Sequence, residues 1–377
     1  MLGCSPAVPC FRAVTPPLAV IAAVLLLGVV GGCLPVASSA PEGMFRVRPA
    51  GAAPERIGSA PVRPIWSPDG DRIAWSAADG LWIAQSDGTG AHRIVNERNL
   101  ATAAWAPDGE TLAVVDNAAH LLRIVGANGE PEQAFPLVEQ TQSEEFPIYV
   151  ADNTPSWSPD GTQIAFTAWD GNGDEIFRID RDGASRTQLS HVRASTAPLD
   201  GEHPNGPRKA FSDAGRPGWA PGGDVVAYAL FPELRDAPGG VYVVAVDSGR
   251  ASRLAPLTPL YGPVWSPDGR RLLFVYRGKN GADLFIVDSI TRRTVNLTQD
   301  SDLSPRDGTW SPDGDRIAFS ADDGALYVMT LANRTIAPLA DTPLDDIGPV
   351  WSPDGQWIAF RAQHDLFADQ PSLPHLP

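Results

Sequence analysis

The sequence is poor in cysteine, and its few thiols lie near its beginning. Of 377 residues only Cys4, Cys10 and Cys33 are cysteines, so the remainder of the chain cannot form a disulfide framework or a cysteine-based metal site. Positive charge is also scarce, because 29 Lys and Arg stand against 45 Asp and Glu and give a formal net charge of -16. Such a chain repels phosphate backbones, so nucleic acid is not an expected partner.

An apolar run near the start predicts an export signal. It extends from Leu18 to Val30 and follows a stretch in which Arg12 is the only charged residue. The run is short for a helix that spans a membrane, but its length suits a signal peptide. Gly31 and Gly32 then precede Cys33, and small residues before a cysteine at this point resemble the lipobox of bacterial lipoproteins.

The lipobox resemblance implies that residues 1–32 are removed and that Cys33 becomes lipidated. We therefore expect an exported protein that the lipid anchors to the membrane of the bacterial cell envelope, on its periplasmic or extracellular side, with residues 33–43 as a tether. An ordinary cleaved signal peptide and an uncleaved anchor are the alternatives. All three interpretations place the body of the protein outside the cytoplasm.

One short motif, Trp-Ser/Ala-Pro-Asp/Gly-Gly, recurs seven times. The copies begin at Trp66, Trp105, Trp157, Trp219, Trp265, Trp310 and Trp351. Where no insertion intervenes the spacing is about 40 residues, which is the period of a four-stranded propeller blade. Proline, aspartate and glycine in this order suit a tight turn between two strands.

Each copy of the motif precedes the pattern of a buried strand. Apolar residues occupy successive positions, as in Ile317-Ala318-Phe319, which favours a strand covered on both faces. Two more apolar runs follow, and we name the four strands of each unit A to D. Since one blade cannot cover both of its faces alone, the sequence predicts an all-β fold, a seven-bladed β-propeller of four-stranded blades over residues 44–367. Residues 368–377 are then a tail.

The start of the propeller predicts how the ring closes. Residues 44–57 align without a gap to residues 176–189, which carry strands C and D of the third blade. We expect these N-terminal strands to complete the last blade, whose strands A and B lie between Pro349 and Arg361. Such a clasp of two plus two strands protects sheet edges that would otherwise be open. The alternative is that Asp365-Leu366-Phe367 supplies strand C of that blade.

These repeats resemble those of the TolB family, whose propeller lies in the bacterial periplasm. The resemblance covers residues 44 to about 367 and implies a binding scaffold, with Pal and other Tol-Pal components as partners. The chain departs from TolB in having a lipobox and no separate domain before the propeller. Similar repeats also resemble the propellers of prolyl-oligopeptidase-type peptidases and of some sugar-acting lyases. A peptidase is excluded because the sequence has no Gly-x-Ser-x-Gly motif.

The sequence offers no catalytic residue, metal site or cofactor site. The motif aspartates could suggest a ring of acids, but Gly222 takes their place in the fourth copy, so a turn-forming role is favoured. Residues 170–175 have the oxygen spacing of half a calcium loop, yet the glycine and the final glutamate that such a loop needs are missing; a polar loop between strands B and C is favoured. The six histidines show no metal-binding spacing.

The extra residues of the chain fall in three neighbouring connections, 136–154, 190–216 and 231–239. Long loops in a compact domain are often functional, although drift in surface loops is the alternative. We expect a binding surface formed by Glu144, Glu145, Phe146, Tyr149, His203, Arg208, Lys209, Phe211, Arg216 and Arg235. The leading hypothesis is a non-catalytic, envelope-associated scaffold that binds a protein or a glycan. The alternative is a metal-assisted polysaccharide lyase or hydrolase with its site at the mouth of the central channel.

Overall fold

The computed structural model describes most of the chain after the predicted tether. It covers residues 42–363 except 52, 59–62, 102, 138–153, 171–173, 192–211, 233–238, 280, 341 and 343. These residues belong to one compact unit, Ala40–Pro377, whereas the unit Met1–Ser39 lies outside the described residues together with Cys33.

The described residues form seven four-stranded antiparallel sheets, and none of them is helical. Blade 1 contains, from A to D, β3 (Ile65–Trp66), β4 (Arg72–Ala77), β5 (Gly80–Gln85) and β6 (His92–Val95). Blade 2 contains β7 (Ala104–Trp105), β8 (Thr111–Asp116), β9 (Leu121–Gly126) and β10 (Pro131–Pro136). Blade 3 contains β11 (Ser156–Trp157), β12 (Gln163–Trp169), β13 (Asp174–Asp180) and β14 (Thr187–Gln188).

Blades 4 to 6 follow in the same order. Blade 4 contains β15 (Ser212–Trp219), β16 (Val225–Pro232), β17 (Gly240–Ala245) and β18 (Ala251–Ala255). Blade 5 contains β19 (Val264–Trp265), β20 (Arg271–Gly278), β21 (Gly281–Asp288) and β22 (Thr294–Asn296). Blade 6 contains β23 (Thr309–Trp310), β24 (Arg316–Ser320), β25 (Leu326–Thr330) and β26 (Thr335–Ala340). Blade 7 consists of β27 (Asp345–Trp351), β28 (Ile358–Gln363), β1 (Gly43–Val47) and β2 (Glu55–Gly58).

The second strand of each blade is buried on both faces, as its apolar pattern predicts. Ile317, Ala318 and Phe319 in β24 are fully buried, and strand β8 is buried along its whole length. The hydrophobic clusters join residues of adjacent blades, because each blade covers the exposed face of the next. Burial between blades therefore holds the molecule together.

The seven blades close into a ring. The first strands contact one another in order, from β3 to β27 and back to β3, so they line the centre of the molecule. Across the closing joint, Trp66 Nε1 donates to the carbonyl oxygen of Val350 at 3.1 Å. On the side of the A–B turns, Pro353 Cδ lies 3.6 Å from the position that a Cβ on Gly70 would occupy, and an equivalent proline–glycine contact recurs at all seven joints.

The last blade is closed by the N-terminal strands, which confirms the predicted clasp. Strand β1 pairs with β28 over five residues, from Gly43 opposite Ala362 to Val47 opposite Ile358. Phe45 stacks on Phe360 with ring centres 5.8 Å apart, and the same pairing of rings between strands B and C occurs in five other blades. The alternative strand Asp365–Phe367 lies outside the described residues, and β1 holds its place in the sheet.

Several sequence-based boundaries are wrong. The connection expected at 231–239 starts later, because β16 extends to Pro232. The connection expected at 190–216 ends earlier, because β15 begins at Ser212 and Arg216 is part of it. The polar loop expected at 170–175 is also shorter, because β13 begins at Asp174. Glu175 is buried in that strand and accepts a hydrogen bond from Ser190 Oγ. Strands β13 and β15 include polar residues that the hydropathy pattern assigns to loops.

The two sides of the ring differ. We call the side with the A–B and C–D turns, such as Pro68-Asp69-Gly70 and Ser289-Ile290-Thr291, the turn face. The side on which the B–C and D–A connections begin and end is the loop face. In the sequence, residues 138–153 and 192–211 stand between strands D and A, and residues 233–238 stand between strands B and C. Strand A runs from the loop face to the turn face in every blade.

Candidate functional site at the mouth of the central channel

The turn face repeats one hydrogen-bonded hairpin. In blade 1, Ser67 Oγ donates to Asp69 Oδ1 at 2.5 Å and accepts from the backbone N–H of Arg72 at 2.9 Å. This hydrogen bond from Ser67 is the main reason why the pKa of Asp69 lies below its usual value. The same serine–aspartate pair occurs in blades 3, 5, 6 and 7. The motif carboxylates therefore hold the turns in shape.

Five of the seven motif tryptophans donate a hydrogen bond to the neighbouring blade, whereas the buried Nε1 atoms of Trp219 and Trp351 have no partner among the described residues. Trp105 Nε1 donates to the carbonyl oxygen of Ile65 in blade 1 at 3.4 Å, and Trp310 Nε1 donates to that of Val264 in blade 5 at 3.0 Å. The guanidinium of Arg271 covers the ring of Trp310 at 4.8 Å. These contacts give the tryptophans a packing role between blades, as the sequence predicts.

Most residues of the predicted binding surface lie outside the described residues. They are Glu144, Glu145, Phe146, Tyr149, His203, Arg208, Lys209, Phe211 and Arg235. Only Arg216 of that set is described, and the structure places it in the first strand of blade 4, where the strand enters the central channel from the loop face.

Arg216 occupies one of seven equivalent positions around this channel mouth. Each position lies three residues before a motif tryptophan, at the loop-face end of strand A. The seven residues, from blade 1 to blade 7, are Arg63, Thr102, Thr154, Arg216, Gly262, Asp307 and Gly348. We call this set the mouth ring; all of its members except Thr102 are described. It combines two arginines, two threonines, two glycines and one aspartate.

The backbone of Arg216 is strained. Its φ angle is 53°, in the left-handed region that costs a non-glycine residue about 1–3 kcal/mol. Gly348, at the same position in blade 7, has a φ of 65° and no such penalty. The register of strand A shifts at this position in both blades, which indicates a β-bulge. Blade 4 thus keeps an arginine where the conformation favours glycine.

The side chain of Arg216 extends towards blade 5. Its guanidinium lies over the ring of Tyr261 at 4.5 Å. Its Cβ would be only 2.1 Å from a Cβ on Gly262, so the arginine packs directly on that glycine. Burial and then the charge of Arg63 lower the pKa of Arg216 to about 10, while Tyr261 and Asp307 act in the opposite direction. Arg216 therefore remains positively charged at neutral pH.

Arg63 extends towards blade 7. Its side chain packs on Gly348, where an added Cβ would lie 3.2 Å from Arg63 Cγ, and its Nη2 donates to the carbonyl oxygen of Pro349 at 2.8 Å. Asp307 contacts the same glycine, because its Oδ2 accepts the backbone N–H of Gly348 at 2.9 Å. Its Oδ1 accepts the Oγ–H of Ser320 at 2.7 Å. Arg63 and Asp307 thus meet at Gly348, whereas Arg216 packs on Gly262.

Sequence reasoning singles out Arg216 for its charge but misses Arg63, Tyr261 and Asp307. A signal for two of them is present, because aligning the seven motifs and stepping back three residues selects Arg63 and Asp307 directly. No such signal exists for Tyr261, which differs in kind from the residues at its position in the other copies. Its side chain is 39% exposed, one of two exposed large hydrophobic residues in the described part of the chain.

The lyase alternative would need a metal site at this mouth. Within the described ranges, no group of three or more His, Cys, Asp and Glu residues is placed to hold a metal ion. His92 is on the outermost strand of blade 1, where its Nδ1 lies 2.9 Å from the carbonyl oxygen of Gly90. His203, His364 and His375 lie outside the described residues.

In the part of the chain that the structure describes, no helix is long and apolar enough to cross a membrane.

Comparisons with known proteins point to TolB in sequence and to propellers in fold. No protein-family model matches the chain. A TolB homolog from Chlorobium chlorochromatii is 28% identical over 161 residues, which are 42% of this chain and 31% of that protein. The match thus spans less than a third of the relative's length.

Solved structures give the same fold. A TolB candidate from Agrobacterium tumefaciens shares 20% identity, with a TM-score of 0.50 over 73% of this chain and 94% of its own. An oligogalacturonate lyase from Vibrio parahaemolyticus shares 12% identity, with a TM-score of 0.57 over 85% of this chain and 91% of its own. At such identities the likeness shows the fold alone.

Proposed function

We propose that this TolB-like propeller is a non-catalytic scaffold of the bacterial cell envelope that binds a protein partner through its loop face. The difference between its two faces supports the proposal most directly. The turn face consists of near-identical hairpins whose carboxylates are engaged in holding the turns. The loop face carries the long connections and the strained Arg216. Varied loops on a rigid scaffold are the usual arrangement of a recognition surface.

The position of the N-terminus agrees with anchoring on the same face. Gly43 pairs with Ala362, near the end of strand B in blade 7, so the chain enters the propeller from the loop face. Even fully extended, the segment from Cys33 to Gly43 would span only about 35 Å. A lipid on Cys33 would therefore hold the loop-face end of blade 7 within about 35 Å of the membrane. A partner reached by this face would itself be attached to, or close to, that membrane.

Site-specific photo-crosslinking in living cells tests the proposal. A photoreactive phenylalanine analogue would replace Tyr261 on the loop face, and the control would carry it at Ile290 on the turn face, which is 80% exposed. We expect one defined protein to be crosslinked at position 261 and not at position 290. Replacing residues 192–211 with a short Gly/Ser linker, which keeps the buried Ser190 in place, should abolish that adduct.

Three outcomes would contradict the proposal. Equal crosslinking at both positions would mean that contact is not specific to the loop face. An adduct that persists after replacement of 192–211 would remove the long connection from the interface. An adduct that consists of glycan alone would replace the protein partner with the second ligand class.

A further inference from the structure

The mouth ring concentrates positive charge in an acidic protein. The chain as a whole carries a formal charge of -16, whereas the seven ring positions contain two arginines and one aspartate, for a formal charge of +1. The repeat does not require a charged residue at these positions, because the other four ring positions are threonine or glycine. The charge therefore calls for an explanation beyond the construction of the blades.

The two arginines approach one region of the channel mouth from opposite directions. Arg216 of blade 4 lies over Gly262 of blade 5, and Arg63 of blade 1 lies over Gly348 of blade 7. Asp307 belongs to blade 6, between those two blades. The glycines make the approach possible, because a side chain at either position would occupy the space that the arginine fills. The charges are close enough for both Arg63 and Asp307 to influence Arg216.

The arrangement holds the arginines in fixed places. Arg216 is stacked on Tyr261, and Arg63 is bound to the carbonyl oxygen of Pro349. Asp307 accepts hydrogen bonds from Gly348 and from the N–H and Oγ–H of Ser320. Arg216 keeps its strained φ, although the equivalent position in blade 7 is a glycine that adopts the same conformation without strain. Strain that persists at one position of a repeat points to a use for that side chain.

We propose that the mouth of the central channel, where Arg63 and Arg216 flank Asp307, is a binding site for the carboxylate of a small ligand. A guanidinium presents a planar pair of donors that matches a carboxylate. The single excess positive charge of the mouth ring suits a monovalent carboxylate group better than a divalent phosphate. The site lies on the loop face and shares Arg216 with the proposed partner surface, but a small carboxylate is a different class of ligand, and its binding can be measured without a protein partner.

Calorimetric titration of the purified chain at neutral pH and low ionic strength tests the site. The probes are butyrate, which carries a single carboxylate, its neutral amide butyramide, and inorganic phosphate. We expect butyrate to bind, butyramide not to bind, and phosphate to bind at least tenfold more weakly than butyrate. Arg63→Gln and Arg216→Gly should each weaken butyrate binding at least tenfold, the latter while relieving the backbone strain. Arg216→Lys should weaken it to a smaller extent, because lysine keeps the charge and loses the planar fork.

Arg93→Gln is the matched control, since Arg93 lies on the outer strand of blade 1 and pairs with Asp79 at 3.1 Å. It should bind butyrate as the wild type does. Thermal unfolding reports whether each variant folds, and Arg63→Gln decides the question if Arg216→Gly does not fold. The proposal is overturned if the wild type binds no butyrate, if phosphate binds as tightly, or if the folded arginine variants bind butyrate normally. None of these results would affect the crosslinking test of the partner surface.

Discussion

The contact between Arg216 and Gly262 shows how closely one residue of the mouth ring depends on another. The two residues belong to neighbouring blades, and a Cβ on Gly262 would lie 2.1 Å from Arg216 Cβ and 2.9 Å from its carbonyl oxygen. Because backbone atoms of strand β15 are involved, a side-chain rotation cannot relieve such a clash. Glycine is therefore required here for close approach rather than for a turn.

We expect Gly262→Ala to lower the free energy of unfolding by about 1–3 kcal/mol, the usual cost of an overpacked site. Gly278→Ala is the control, because an added Cβ there has no neighbour closer than 3.6 Å. Urea unfolding of both variants measures the difference. Equal stabilities would show that blades 4 and 5 can separate at the channel mouth at little cost.

At the residue scale the sequence predicts the turn chemistry well and the site only in part. Ser67 and Asp69 are near neighbours in the chain, so their hydrogen bond is a local event that a motif encodes. Arg63 and Arg216 are far apart in the chain, and ring closure alone brings them to one place. Hydropathy and charge patterns carry no information about such a meeting.

At the scale of elements, the clasp decides how the ring is sealed. Met44 in β1 is fully buried and packs in one cluster with Ile57 of β2 and with Trp66, Ile73 and Trp75 of blade 1. The N-terminal strands thus complete blade 7 and also cover the first blade. A gapless alignment to strands C and D of blade 3 predicts this arrangement, because the same positions must be apolar in every blade.

Met44→Ala should destabilise the protein by about 2–5 kcal/mol, as expected when a large buried side chain leaves a cavity. Ile290→Ala, at a position 80% exposed on a C–D turn, should change the free energy of unfolding by less than about 0.5 kcal/mol. Chemical denaturation followed by tryptophan fluorescence compares the two. A Met44→Ala variant as stable as the control would mean that the clasp contributes nothing to the fold.

The strand A of blade 4 shows where element boundaries escape sequence analysis. Residues 212–218 contain serine, aspartate, arginine, proline and two glycines, a composition typical of a loop. They nevertheless pair with β16 through a shift of register around Arg216. The neighbouring strand supplies the hydrogen bonds that local propensity would not, so tertiary context overrides composition there.

At the scale of the whole molecule, the direction of the chain through blade 7 relates the proposed lipid anchor to the proposed binding surface. If Cys33 is lipidated, we expect the loop face to turn towards the bilayer and the turn face away from it. Since no residue after position 33 is a cysteine, single cysteines can report this orientation without interference.

Lys279 and Ile290 form a matched pair in blade 5, one on the B–C turn of the loop face and the other on the C–D turn of the opposite face. We expect a fluorophore on Lys279→Cys to be quenched by spin-labelled lipids in vesicles that carry the acylated protein. The same fluorophore on Ile290→Cys should be quenched much less. Stronger quenching at position 290 than at position 279 would contradict the proposed orientation. A Cys33→Ala chain, which cannot be acylated at that position, serves as the control for non-specific adsorption to the vesicles.

The sequence by itself determined the number of blades, most of their strands, the turns between strands A and B, and the clasp. Each of these follows from short-range chemistry that is repeated seven times: a Pro-Asp-Gly turn, an apolar run and a tryptophan at one spacing. Aligning the repeats selects Arg63, Arg216 and Asp307 as equivalent positions, but only the tertiary structure decided that these positions line the channel mouth and that each arginine packs on a glycine of a neighbouring blade. Closing a ring brings residues from distant blades together, and no short segment of the chain encodes which side chains then touch.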